Sequence, residues 1–244
     1  MFEPTSSFPA FSEKVNRYWL PDRDRPQPGQ YRIIVDQELP PSRGVMLLDP
    51  VGSGGFLSML PQMAQRAGLR PGSEPDKQTI FEALQLAGIE LNGADHLFYF
   101  SDAEQKLLPH ENFPASVRQL TSEDADAFAA FVSDAPEDDM DEAFVELDHW
   151  LVLGCFVDNR LVSAASMYPW SGTAFADLGV ITLPQFRGQG FGNQTVRAIS
   201  AQALRLGYEP QYRCQPYNLS SIRLAQASGF SLFAAWDVIK LDEE

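Results

Sequence analysis

The stretch PQFRGQGFGNQT, residues 184–195, packs three glycines into five positions between an apolar run and a helix-like run. Glycine adopts positive φ freely and lets another group come close to its backbone, so the chain here is expected to wrap tightly around something. A strand that runs through such a loop into a helix leaves the first amides of that helix unpaired, which makes an anion site. Such a unit belongs in an α/β or α+β sheet with helices on its faces.

The 244 residues allow one large domain or two modest ones. A net charge of −15 argues against nucleic acid or an anionic membrane as partner, because both would be repelled. No apolar run reaches membrane-span length, and MFEPTSSFPAF lacks the basic and apolar regions of a signal peptide. Cys155 and Cys214 each lie in an apolar stretch and read as buried thiols, so a cytoplasmic protein is expected.

In the first half, a short helix-like segment ends at Tyr18-Trp19-Leu20, before the Pro-rich connector 21–30. Strands are expected at 31–36, 45–49 and 96–100, and helices at about 56–67 and 75–87. In VGSGGFLSML a glycine turn resembles a second phosphate loop, but Pro61 interrupts the expected helix and no basic residue is near, which favours a plain turn. The aperiodic LPHENFPAS, 108–116, suggests a boundary between an N-terminal accessory α/β unit (1–115) and a second unit (116–244). The accessory unit could be a degenerate copy of the second or an unrelated module, and it holds no catalytic constellation of its own.

The second unit reads as a strand at 117–120, a helix capped by Thr121 or Ser122, and a helix over roughly 137–148 with Met140, Phe144 and Leu147 on one stripe. A hairpin turns at Asp158-Asn159, and a strand at 176–183 leads into the glycine loop. A helix at 191–206, a strand at 211–214, a helix at 220–227 and a strand at 231–240 complete it.

Three phosphate-binding readings compete for the loop. GxxxxGK[ST] fails because no lysine lies between 107 and 239. The dinucleotide fingerprint fails at Asn193, and Glu209 precedes its strand instead of ending it. The third takes Arg187-x-x-Gly190-x-Gly192 as a nest of amides for a pyrophosphate, with Gly188 also turning inward and Arg187 adding charge or locking the loop.

With its flanks, that register resembles the GNAT superfamily of acyl-CoA-dependent N-acyltransferases. GVITLPQFRGQGFG is similar to the family's fourth strand and pyrophosphate loop. NLSSIRLAQASGF is similar to its second motif, with Asn218, Ser221, Leu224, Gly229 and Phe230 in register, and VRQLTSEDADAF resembles its opening strand and helix. The resemblance covers about residues 116–240 and implies a GNAT-like mixed central sheet with flanking helices. It implies acetyl-CoA as acyl donor, with no metal. Val180, Ile181 and Thr182 would pair with the pantetheine arm, an amide of that strand would meet the thioester oxyanion, and Arg187, Gly188, Gln189, Gly190, Phe191, Gly192, Asn218 and Ser221 would hold the coenzyme.

Transfer to an amine requires loss of a proton from the ammonium and stabilisation of the departing thiolate. Many members of the family place a Tyr after the Leu of the second motif for the latter, and Ala225 stands there. Tyr217, Ser221 or a water are the substitutes. For the base, Glu142, Glu146 and His149 share one face of the expected helix; Glu146 and His149 are the candidates, and Glu142 reads as a solvated acid. Asp177 is a further candidate, equally able to be a strand-end acid. Cys214 as an acyl-carrying nucleophile is disfavoured because no His adjoins it in sequence. His96 and His110 lack metal-like spacing.

Eight acids in 134–148, with no Lys or Arg among them, point to a cationic amine acceptor, a small molecule or a peptide; the commoner role of such a run is solubility. The activity expected is direct acetyl transfer from acetyl-CoA to a primary amine in a ternary complex. The alternative is a catalytically silent GNAT-fold module that binds or senses acyl-CoA. Oligomeric state is left open.

Overall fold

The computed structural model describes residues 9–21 and 24–241. Helix α1 (Glu13–Trp19) starts where the Ser12 hydroxyl accepts the Val15 amide at 3.1 Å. Strands β1 (Tyr31–Val35), β2 (Val45–Pro50) and β3 (Gly55–Met59) follow, then helices α2 (Pro61–Ala67) and α3 (Lys77–Leu86). The helix expected over 56–67 is therefore a strand followed by a short helix. Pro61 does not interrupt that helix but opens it, at the first-turn position where a missing amide costs nothing. Strand β4 (Asp95–Phe100) and helix α4 (Asp102–Leu107), capped by Ser101, complete the first half.

Strand β5 (Val117–Gln119) and helices α5 (Ala125–Asp134) and α6 (Glu137–Ala143) come next. The helix expected to reach residue 148 stops at Ala143, because Phe144 takes a left-handed conformation with φ 47°. Residues 145–150 are irregular chain, turn and bend, so Glu142, Glu146 and His149 do not share a helix face. Strands β6 (Leu151–Val157) and β7 (Arg160–Pro169) meet through Asp158 and Asn159 at φ 49° and 62°, the positive pair a two-residue hairpin demands. Strand β8 (Phe175–Thr182), helix α7 (Phe191–Arg205), strand β9 (Glu209–Cys214), helix α8 (Leu219–Ala227) and strand β10 (Phe230–Val238) follow.

Among the described residues the strands form one mixed sheet of ten, in the order β1-β3-β2-β10-β4-β9-β8-β7-β6-β5. Pairs β1–β3 and β8–β9 are parallel and the others antiparallel. Strand β4 is inserted between β9 and β10, and β10 pairs on its other side with β2, so the sheet runs without a break across residues 108–116.

Side chains alternate between the two faces. On one face α7 packs over Ala165, Met167, Ala176 and Leu178. On the other, α5 and α6 cover Ala164 and Ile181, while Trp19, Trp170 and Trp236 cluster over Leu97 and Phe175. Cys155 and Cys214 are buried and free, and burial raises both thiols above their ordinary pKa. No helix among the described residues is long and apolar enough to cross a membrane.

Candidate active site

The site is organised by a divergence between two parallel strands. Register between β8 and β9 runs from Phe175–Glu209 to Leu178–Tyr212 and stops. Beyond it β8 stays paired with β7 through Thr182, and β9 stays paired with β4 through Cys214. Main-chain groups alternate along a strand; the Leu183 amide bonds Val162 of β7, so those of Val180 and Thr182 face the opening. Ile181 faces β7 instead, where its carbonyl accepts from Ser163 Oγ at 3.0 Å.

The glycine loop closes the end of this opening. Gly188 and Gly190 have φ of +73° and +87°, and a Cβ on either would meet no atom within 4 Å. Gly190 is the N-cap of α7 without a side-chain cap, and the helix ladder begins with the Gln194 amide on the Gly190 carbonyl at 3.0 Å. The amides of the first turn are thus free of intrahelical partners, at the positive end of a 15-residue helix. Gly192 is required for a different reason: a Cβ there would lie 2.8 Å from Thr182 Oγ1, so glycine lets the helix sit on the end of β8.

Arg187 locks the loop. Its Nε donates to the Thr182 carbonyl at 2.9 Å and its guanidinium pairs with Asp139 on α6. Gln189 folds back onto the Gln185 carbonyl at 3.0 Å, and Phe191 meets the Phe186 ring edge-on at 6.2 Å. Asn193 ties α7 to the end of α8 by donating to the Ala227 carbonyl at 2.8 Å and to Ser228 Oγ at 3.2 Å.

Asn218 caps α8, its Oδ1 accepting from the Ser221 amide at 3.0 Å and from Ser220 Oγ at 2.8 Å. Ser221 Oγ in turn lies 2.8 Å from the Tyr212 hydroxyl. Burial pushes that phenol up to about 12, partly offset by its bond to Ser221. Ala225, one turn after Ser221, is fully buried, whereas Tyr217 is 79% exposed in the turn before α8.

On the opposite face, His149 and Glu146 meet in the turn after α6, His149 Nε2 lying 3.4 Å from Glu146 Oε2. His149 Nδ1 is 2.8 Å from Ser166 Oγ on β7, and the imidazole packs against Phe144 and Tyr168 at 4.9 and 5.1 Å between centroids. The end of α6 is drawn down onto the sheet at Gly179, where a Cβ would strike the Ala143 carbonyl at 1.9 Å. The acid and base candidates therefore stand on opposite faces of the sheet, with the β8–β9 opening between them.

Asp177 is held elsewhere. Its carboxylate accepts from Arg213 at 2.6 and 3.0 Å, from Gln211 Nε2 at 2.9 Å and from the Tyr168 hydroxyl at 3.0 Å. Arg213 also reaches Asp95 at 3.2 Å. Burial and the Asp177 carboxylate raise the Tyr168 phenol to about 12, and burial raises Asp95 against the pull of Arg213. Such a chelated carboxylate fixes the floor of the site and has no lone pair directed at an incoming proton.

Tyr212, Ser166, Tyr168 and Arg213 were not singled out from the sequence. Strand alternation in QYRC could have sent Tyr212 and Arg213 to opposite faces, but their partners Ser221 and Asp177 are distant in the chain. Among the described residues, no group of three or more His, Cys, Asp or Glu side chains is placed to hold a metal ion.

The family model for the acetyltransferase (GNAT) family matches residues 117–230. No curated protein matches the chain. A GNAT-family acetyltransferase from Colwellia psychrerythraea is similar at 16% identity, covering 66% of this chain and 63% of its own, with a TM-score of 0.47. A GCN5-related N-acetyltransferase from Kribbella flavida is similar at 19% identity over 67% of this chain and 64% of its own, with a TM-score of 0.44. A ribosomal-protein-alanine N-acetyltransferase from Brucella melitensis is similar at 18% identity over 52% of this chain and 99% of its own, with a TM-score of 0.40. The matched segment, which holds the opening strand, the glycine loop and the second motif, is what this chain shares with the GNAT acetyltransferase family.

Proposed function

We propose that the protein is an N-acetyltransferase that moves the acetyl group of acetyl-CoA directly to a primary amine. The observation that carries this reading is the unpaired β8 edge at Val180, set between the uncapped start of α7 and the Ser221–Tyr212 pair. The pyrophosphate sits on the amides of Gly188, Gly190, Phe191 and Gly192, with Gln189 beside it and Arg187 holding the loop in shape. The pantetheine arm lies along Val180–Thr182, and Asn218 supports the turn that faces it.

In this reading the amine nitrogen attacks the thioester carbonyl, an N–C bond forms, and the developing oxyanion is met by the Val180 amide. Glu146, with His149 beside it, takes the proton that the ammonium must lose. As the C–S bond breaks, Ser221 gives a proton to the departing thiolate and takes one from Tyr212, which recovers its own from water; its raised pKa keeps Tyr212 protonated at neutral pH between turnovers. This pair stands in for the Tyr that Ala225 replaces. Tyr217 and Asp177 are left as weaker candidates, the first for its exposure and the second for its chelation by Arg213.

Residues 116–244 carry the chemistry, and residues 1–115 act as an accessory unit that supplies β4. The acceptor is cationic in this reading, drawn by the acids of 134–148, although Asp134 and Asp139 are matched by Arg160 and Arg187. Release of CoA thiol against a panel of polyamines, aminoglycosides, amino acids and peptides is the test. Turnover with cationic amines supports the proposal. Acetyl-CoA binding without turnover on any amine would favour a silent acyl-CoA-binding module, and no binding would reject the site.

A further inference from the structure

In the first half of the chain one face of the sheet is covered by α2 and α3 and the other only by the short α1. α2 and α3 pack against Ile33, Leu47, Leu57 and Met59. The alternate residues Ile34, Met46, Leu48 and Phe56 face the other way, where they floor a cavity of about 320 Å³. Tyr18 and Trp19 of α1 and Trp236 of β10 wall it, and Arg43, at the end of a single 3-10 turn, reaches it from the side.

Arg43 is unusual in its company. Its guanidinium donates to Ser171 Oγ at 2.6 Å and to the Tyr18 hydroxyl at 3.3 Å. It lies over the Trp170 ring at 4.6 Å and near the Trp236 ring at 5.7 Å. Every one of these partners is neutral, and no carboxylate among the described residues pairs with it. A guanidinium has five donors, and the two used here leave three for a ligand. The Trp236 indole Nε1 is buried without a hydrogen-bond partner, so the residue offers the cavity its ring and not its N–H.

We propose that this cavity binds a small aromatic carboxylate, its ring against the wall formed by Tyr18, Trp19 and Trp236 and its carboxylate on Arg43. The planar guanidinium takes a carboxylate through two parallel bonds, and it is already oriented by its ring contacts and hydroxyls. The volume lies at the small end of organic-ligand sites, which suits one ring and a short acidic arm. Asp36, also on the wall, is engaged with the Glu38 amide at 2.9 Å. The net charge of −15 opposes an anion at long range, but salt at 0.15 M screens beyond about 8 Å and leaves the contact with Arg43 in force.

The test is titration calorimetry of the full chain, without acetyl-CoA, so that its result is independent of the acetyl-transfer reading. The probes are phenylacetate, its neutral isostere phenylacetamide and the cation phenethylamine. Phenylacetate is expected to bind with a Kd on the order of 1 mM, as its roughly ten non-hydrogen atoms allow, and about tenfold more tightly than phenylacetamide. Arg43→Gln should erase that preference while leaving phenylacetamide unchanged, and Trp236→Leu, which removes a ring from the wall, should weaken phenylacetate and phenylacetamide alike. Both variants are checked for folding by their thermal transitions. Equal binding of acid and amide by the unsubstituted protein, no binding of phenylacetate, or tighter binding of phenethylamine would each overturn the proposal.

Discussion

The hydroxyls of Tyr212 and Ser221 lie 2.8 Å apart, joining a buried position of β9 to the first turn of α8. The pair is on the face of the sheet packed by α7, and Asn218 holds its outer member by capping the same turn. If Ser221 protonates the departing thiolate, Ser221→Ala should lower kcat about 10- to 100-fold and leave the KM for acetyl-CoA within about twofold. Tyr212→Phe should lose less, because a water can resupply Ser221. Steady-state kinetics with an accepted amine decides this, and a change confined to KM would move Ser221 to coenzyme binding.

The Tyr212 phenol carries its own pH signature. Its folded value of about 12 lies above the ordinary value near 10, so its contribution to stability is complete below about pH 10 and is lost as pH rises through about 12. Two units correspond to about 3 kcal/mol at most. Alkaline unfolding followed by circular dichroism should be shallower for Tyr212→Phe than for the unsubstituted protein. Part of the slope should persist in the variant, because Tyr168 is raised to about 12 as well.

Glu146 supplies a test that separates a base from a docking charge. Glu146→Gln should lower kcat/KM about 10- to 100-fold near pH 7 if the carboxylate removes the ammonium proton. The deficit should shrink as pH approaches the amine's own pKa of about 10, where free amine is abundant. Attraction alone predicts a deficit that falls with added salt instead. The pH-rate profile at two ionic strengths distinguishes them.

Gly192→Ala should destabilise the fold by about 1–3 kcal/mol, because its Cβ would meet Thr182 Oγ1 at 2.8 Å and the start of α7 must shift. In a Thr182→Ala background the same substitution should cost clearly less, since the obstructing atom is gone. Thermal melting of the four proteins of that cycle gives the coupling directly. Additive losses would mean that the helix start is limited by Leu224, at 3.6 Å, instead.

The parts of the site legible in the sequence are those where local chemistry is decisive. Gly188 and Gly190 need positive φ, Asn218 and Ser221 stand at cap spacing, and Asp158-Asn159 can hardly be anything but a hairpin turn. The helix end at Phe144 was hidden because no glycine marks it, and the apolar spacing of Met140 and Leu147 carries the helical period past the break. Strand β3 was hidden for a related reason, since FLSML is a short apolar run and such runs suit strand and helix equally. Pro61 was the available signal, as a helix start. Partnerships such as Asp177 with Arg213 and His149 with Ser166 join residues 36 and 17 positions apart, and only the sheet register makes them neighbours.

The insertion of β4 between β9 and β10 has a consequence for biosynthesis. Phe98 and Phe100 are made more than a hundred residues before the strands that enclose them, Tyr212 on one side and Phe230 on the other. At ribosomal speed that interval is on the order of 10 s, during which β4 offers two open edges and an apolar aromatic face. Pairing across such separations is slow in itself, because the loop must close before any contact rewards it. Nascent chains halted after β4 should therefore be held by chaperones or aggregate, and chains halted after β10 has emerged should be released.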